Sequence, residues 1–242
     1  MSNLGEELAN RGSKLCMQIC TNNLSDDVWH KRIVRLSRKH LLDNAIGLGN
    51  IRWLSPLATD SFREYELREI ALKYPREIAL DDMDWSFWSK SRHPQWDAIG
   101  ITEDNSLVLV EAKANPDKII TACISKNKDG KDKISSTIRT VLGDNEKWIT
   151  KYYQIANRLT FLQKVQEHFS EKRKVFCVFL YFANDVTLDG TTRKKLSKEE
   201  WAKQLESVHK EIEIPQRLIG NVKEIILDIW KDSGIKKETQ GV

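Results

Sequence analysis

The chain is poor in the residues that announce several common protein classes. It has four cysteines, Cys16, Cys20, Cys123 and Cys177, too few and too scattered for a disulfide framework. Cys16 and Cys20 are one helical turn apart, but no nearby His or Cys pair completes a tetrahedral zinc set. No apolar run approaches the roughly 18–20 residues needed to span a bilayer, so no membrane partner is expected. The opening "MSNLGEELANRGSK" lacks the charged-then-apolar pattern of a secretory leader. A reduced, cytoplasmic protein is the expectation. Neither sign of charge dominates: the net charge of +4 permits a polyanionic partner without demanding one. There is no internal repeat and no low-complexity stretch.

What is present suits a soluble α/β protein. The 242 residues, 40% hydrophobic and 31% charged, are enough for one sizeable domain or a domain with a small appendage. Residues 1–25 are polar and weakly patterned. The spacing of Trp29, Ile33, Leu36 and His40 predicts a helix over 27–46, with Lys31, Arg35, Arg38 and Lys39 on the opposite face. That basic face is solvated or, alternatively, holds phosphates. "GLGN" ends the helix and lacks the third glycine of a nucleotide loop. A second helix is expected over 60–74, with Ser61 and Glu64 at the capping-box offset and Pro75 at its end. An aromatic connection follows over 81–94. Trp85, Trp88 and Trp96 read as core under the next element, with base stacking as the alternative. A lysine-rich loop over 115–135, a long helix over 145–169 and a central strand over 174–184 come next. Ser197 and Glu200 open another helix as a capping box. A last strand is expected over 222–230.

One stretch carries chemistry: "PQWDAIGITEDNSLVLVEAK", residues 94–113. Two apolar runs, 95–101 and 107–113, flank a turn of residues that tolerate tight bends, which predicts a β-hairpin. "LVLV" is apolar on both pleat faces, so the strand is expected to be covered on both sides, in an α/β layer arrangement. Glu111 and Lys113 point the same way, because residues i and i+2 share a strand face. Asp97, on the partner strand, can meet them. Two converging carboxylates repel unless a cation or a shared proton relieves them. Mg²⁺, with Mn²⁺ as a substitute, is the hard cation that takes only one or two protein carboxylates. Asp97 and Glu111 are its expected ligands, with the carbonyl of Ala112 as a further oxygen. Lys113 beside it would orient a water or stabilise charge on a phosphate. Acid, acid, lysine and cation together suit in-line hydrolysis of a phosphodiester.

The string D-x13-E-A-K, behind an apolar strand, resembles the PD-(D/E)XK nuclease superfamily, although Trp96 stands where the family often has proline. "PQWDAIG…LVLVEAKA" followed by "YYQIANRL" is also similar to a group of uncharacterised bacterial members, over roughly residues 54–230. The resemblance implies a restriction-endonuclease-like fold, a mixed central sheet flanked by helices, within residues 56–242. Residues 1–55 would form an N-terminal helical extension of the same compact domain. It implies a Mg²⁺-dependent nuclease acting on nucleic acid, DNA foremost, with Asp97 and Glu111 as metal ligands and Lys113 as the catalytic lysine. The superfamily often adds an acid from the preceding helix. Glu64 is the first candidate and Glu66 and Glu69 the others, with a capping role as the plain alternative for Glu64. It also often carries a glutamine on the helix after the E-x-K strand, here Gln154, with Tyr153 and Asn157 as weaker candidates. Many such nucleases dimerise, which makes a second copy of the chain a candidate partner and the N-terminal segment a candidate means.

Other readings use the same residues. A binding or protein-interaction module of this fold would keep the shape without cutting, yet binding alone has no need of Asp, Glu and Lys together. An unrelated α/β protein would carry the triplet by chance, as a strand-end salt-bridge cluster worth about 0–1 kcal/mol.

Overall fold

The computed structural model describes residues 8–22, 39–90, 93–124, 127–170, 172–184, 195–229 and 232, the side chains of 39 and 40 excepted. Helices α1 (Gly12–Thr21) and α2 (Lys39–Ile46) precede strands β1 (Ile51–Ser55) and β2 (Tyr65–Glu66). Helices α3 (Leu67–Lys73) and α4 (Pro75–Ile78) lead to β3 (Gln95–Trp96), β4 (Ala98–Thr102) and β5 (Leu107–Lys113). Then come α5 (Lys128–Leu142), α6 (Lys147–Thr150), α7 (Tyr153–Phe169), β6 (Val175–Ala183), α8 (Lys198–His209), α9 (Gln216–Ile219) and β7 (Val222–Asp228).

Five strands form a mixed sheet in the order β1-β4-β5-β6-β7. The pairs β1/β4 and β4/β5 are antiparallel, and β5/β6 and β6/β7 are parallel. β2 and β3 make a separate two-residue ladder. The expected architecture, a mixed sheet flanked by helices, is therefore present. Alternation along β5 divides the interior in two. Leu107 and Leu109 join the larger core with Ile138, Leu159 and Phe161 from α5 and α7. Val108, Val110 and Ala112 join a smaller one with Leu15, Cys16, Ile19, Leu42 and Ile46 from α1 and α2. Glu111 continues the row of Leu107 and Leu109, so the apolar face of the strand runs directly into an acid.

Several elements differ from the sequence expectation. Residues 12–21, expected to be unpatterned, form a helix buried on almost every side that packs on β5 and β6. Cys16 and Cys20 are fully buried on it. Of the helix expected over 27–46, residues 39–46 are helical. Residues 23–38, with Lys31, Arg35 and Arg38, lie outside the described residues. The helix expected over 60–74 begins only at Leu67, because Ser61 and Phe62 take left-handed backbone angles. The second half of the expected lysine-rich loop is helix α5, whose Ile134, Ile138, Val141 and Leu142 are buried. The long helix expected over 145–169 breaks at Lys151–Tyr152. There the chain pairs instead with a strap around Thr121: the Thr121 N–H donates to Lys151 O at 2.8 Å, and the Tyr153 N–H to Thr121 O at 2.9 Å. The hairpin, the central strand β6 and the Ser197–Glu200 capping box form as expected. The stretch read as an N-terminal extension supplies edge strand β1, paired to β4, and the helices over one sheet face. Among the described residues, no helix is long and apolar enough to cross a membrane.

Candidate active site

The hairpin brings the acids together through its backbone. The Asp97 N–H donates to Val110 O at 3.0 Å, which pins residue 97 at the break between β3 and β4. Asp97 Oδ2 in turn accepts the Ala112 N–H at 2.7 Å. That bond fixes the carboxylate across the hairpin beside Glu111 and Lys113. Trp96, fully buried, anchors the turn into Asp97. Trp88 is buried as well, so these two rings belong to the core rather than to a stacking surface.

Glu111 is buried, and both its oxygens face cations. Lys113 Nζ pairs with Oε1. Arg158 Nε donates to Oε2 at 2.7 Å. Arg158 is itself buried on α7, with Nη1 on Asn157 Oδ1 at 2.9 Å and Nη2 on Gln95 O at 2.6 Å. Its guanidinium lies over the Trp96 ring, 4.7 Å from the centroid. A buried arginine needs such saturation, since an unpaired buried charge is costly. Burial alone would raise the Glu111 pKa, but Arg158 and Lys113 outweigh it and hold the carboxyl below its ordinary value.

Asp97 has the opposite surroundings. Burial, and next the negative charge of Glu111, push its pKa up to about 7. Lys113 and the Ala112 N–H oppose that rise without cancelling it. Among the described residues, Oδ2 has the Ala112 N–H and Oδ1 has no hydrogen-bond partner. Glu64, just before β2, is raised chiefly by burial. Its nearest cation is Lys14, 3.8 Å away and exposed.

These groups line one cleft of about 600 Å³. Glu64, Asp97, Glu111 and Lys113 lie along it, with Gln154, Asn157 and Arg158 of α7 opposite. Gln154 sits in the first turn of α7, its N–H bonded to Thr121 Oγ1 at 3.0 Å. Tyr153 lines the cleft too, and burial, followed by the nearby Cys123, pushes its phenol up to about 12. The structure thus brings together all five sequence candidates: Asp97, Glu111, Lys113, Gln154 and Glu64. Glu64 does not cap a helix as the Ser61 pairing suggested. The capping box belongs to Glu66 and Glu69, which leaves Glu64 alone of the three acids in the cleft lining.

Arg158 is a residue the sequence analysis did not assign to the site, although it lies one helical turn after Gln154 and above Phe161 and Val165. A charge at that spacing above two buried apolar residues is the available signal. His93 is a second. It is buried and lines the cleft, and among the described residues its Nδ1 has no hydrogen-bond partner. Burial, and then Arg68, push its pKa down to about 4, so its imidazole is neutral at pH 7.

The donor set suits a hard cation. Asp97 Oδ1 and Glu111 are carboxylate oxygens, and the Ala112 carbonyl lies beside them, 3.5 Å from Lys113 Nζ. No thiolate lines the cleft. Among the described residues no group of three or more His, Cys, Asp or Glu side chains gathers as a ready metal cage. Magnesium, which keeps several waters and takes one or two carboxylates, does not require one.

No protein-family profile, curated protein or solved structure matches this chain.

Proposed function

We propose that the protein is a metal-dependent nuclease of the PD-(D/E)XK type, hydrolysing phosphodiester bonds of nucleic acid, with DNA as the first candidate substrate. The observation that carries this reading is the convergence of Asp97, Glu111 and Lys113 on one cleft, locked by the Asp97–Ala112 bond. Asp97 and Glu111 would hold Mg²⁺ or Mn²⁺, with the Ala112 carbonyl as a further donor. Such an ion, when bound, acidifies water and offsets phosphate charge. The protein's own groups do the rest. Glu111 stays anionic because Arg158 holds one of its oxygens. Lys113, largely shielded from solvent, offers an ammonium to the attacking water or to charge building on the phosphate. Gln154, on the facing helix, orients a substrate oxygen at the mouth.

The direct test is cleavage of plasmid, linear, branched and single-stranded substrates with Mg²⁺, Mn²⁺ or EDTA. Metal-dependent cutting is expected, falling by about 10²-fold or more in Lys113→Ala. Failure of the wild type on every substrate with either metal would remove the reading. A second reading, a non-cutting module of the same fold, draws on one observation: Glu111 already has both oxygens paired to cations and is satisfied without a metal. Nucleic-acid binding that is equal in wild type and Lys113→Ala, with no cleavage, would favour it.

A further inference from the structure

The lining of the cleft is of two kinds. One is the polar group already described, Glu64, Asp97, Glu111 and Lys113, faced by α7. The other is apolar: Trp88, Pro94, Ala122, Ile124 and Ile134, together with His93. Ile124 is 87% exposed. Single exposed apolar side chains are ordinary on a surface, but this one lines a concavity on an anchored backbone. The Cys123 N–H beside it donates to Ile149 O at 2.9 Å, and Thr121 bridges to Tyr152.

His93 is the second observation. It is 3% exposed. Its ring meets Phe161 edge-on, with centroids 5.6 Å apart, and tilts against Trp85 at 5.5 Å. Nδ1 is shut away without a hydrogen-bond partner among the described residues, and Nε2 has none there either. A neutral imidazole offers one donor and one acceptor, and leaving such groups unpaired in a buried wall is costly. The charge that acts on His93 is Arg68, which is no member of the polar group. A ligand that suits this wall is flat, apolar on its faces and polar at its edge. A nucleobase has that chemistry.

We infer that the apolar part of the cleft receives an unpaired nucleobase of the nucleotide next to the scissile phosphate, with His93 bonding its edge and Ile124 lying against its face. The inference rests on the nuclease reading of the cleft and names its substrate: a single strand, or a duplex opened at the cut. His93 precedes Asp97 by four residues, which keeps their backbones within about 14 Å of each other, close enough for neighbouring groups of one strand. A base stacked inside a duplex has to leave the stack before it can enter a pocket. Nε2 donates or accepts according to which nitrogen carries the proton, so the site tolerates more than one base.

The test compares a labelled single-stranded oligonucleotide with a strand of abasic sugars of the same length and phosphate count. Binding is followed by anisotropy in EDTA for the wild type, Ile124→Ser and His93→Phe, and cleavage is followed with Mg²⁺. Circular dichroism checks both variants, and the exposed position of Ile124 keeps the test valid if the buried His93→Phe fails to fold. The wild type should bind the intact strand about fivefold or more tighter than the abasic one, the low end of what one stacked base is worth. Each variant should lose about threefold or more on the intact strand, a part of that stacking, and nothing on the abasic one. Equal affinity of the wild type for the two strands overturns the inference, whether or not it cuts. So does a preference that survives the substitutions, or a variant that weakens both strands alike. A base preference that the substitutions erase, with no cleavage by the wild type, keeps the base site and removes only the nuclease reading.

Discussion

Glu111, on β5, and Asp97, just before β4, sit at one end of the sheet, and their surroundings are opposite. Glu111 has a cation on each oxygen, both largely shielded from water. Asp97 has one backbone N–H and an oxygen facing the cleft. Burial works to raise both carboxyls, but the cations beside Glu111 outweigh it there, so the pKa of Glu111 falls while that of Asp97 rises. Glu64 stands between these extremes: among the described residues its ion-pair contact is the exposed Lys14, 3.8 Å away. Charge compensation at this site is graded among the described residues, from Glu111 through Glu64 to Asp97. Glu111 is held ionised by Arg158 and Lys113, whereas Asp97 has only the Ala112 N–H among the described residues.

The comparison breaks most visibly at Arg158. Arg158→Met should destabilise the protein by about 3–5 kcal/mol, because it strands a buried carboxylate. Urea denaturation measures it, and a loss below about 1 kcal/mol would mean that Glu111 does not depend on the clamp. Adding Glu111→Gln to Arg158→Met should recover part of the loss, since the stranded charge is then gone.

Asp97 tests the other end. Its native pKa is raised, so the folded state binds the proton more tightly than the unfolded chain. Its contribution is then fully present below about pH 4 and lost as pH rises towards 7. In EDTA, Asp97→Asn should match the wild type near pH 4 and exceed it at pH 8, by an amount on the order of a few kcal/mol. Mg²⁺ at pH 8 should raise the Tm of the wild type and leave Asp97→Asn unmoved. A pH-independent difference between the two proteins would refute the assignment of Asp97 as the uncompensated acid. The smallest effect belongs to Lys14→Ala. An exposed pair at 3.8 Å is worth at most about 1 kcal/mol, and a larger loss of stability would place Glu64 with Glu111 rather than between the two.

The sequence made the hairpin legible because its signals are local. Alternation, a turn of four small or polar residues and the i, i+2 rule already put Glu111 and Lys113 on one face. Glu64 and Gln154 reached the cleft through the family resemblance, although the local structure around Glu64 was misjudged: Ser61 looked like a cap and is left-handed. Helix α1 was illegible because its buried stripe is built from Leu15, Cys16, Ile19 and Cys20, and two cysteines look weakly apolar beside leucines. Helix α5 was hidden by its lysines, which coat the exposed side of an ordinary apolar spacing. The role of Arg158 is the clearest case of what one-dimensional reading lacks. Its partner Glu111 is 47 positions away, and only the docking of α7 on the sheet brings them together.

The order of the partners along the chain has a consequence for how the protein is made. Asp97, Glu111 and Lys113 lie at the end of the β4/β5 hairpin, which a short turn closes, and they emerge together during translation. Arg158 is added only after all of α5 and α6 has been synthesised. For that interval the open end of the nascent hairpin has two acids and a single lysine, without the guanidinium that pairs with Glu111. Burial of Glu111 with a cation on each oxygen therefore waits for the later helix, whose guanidinium comes down over Trp96.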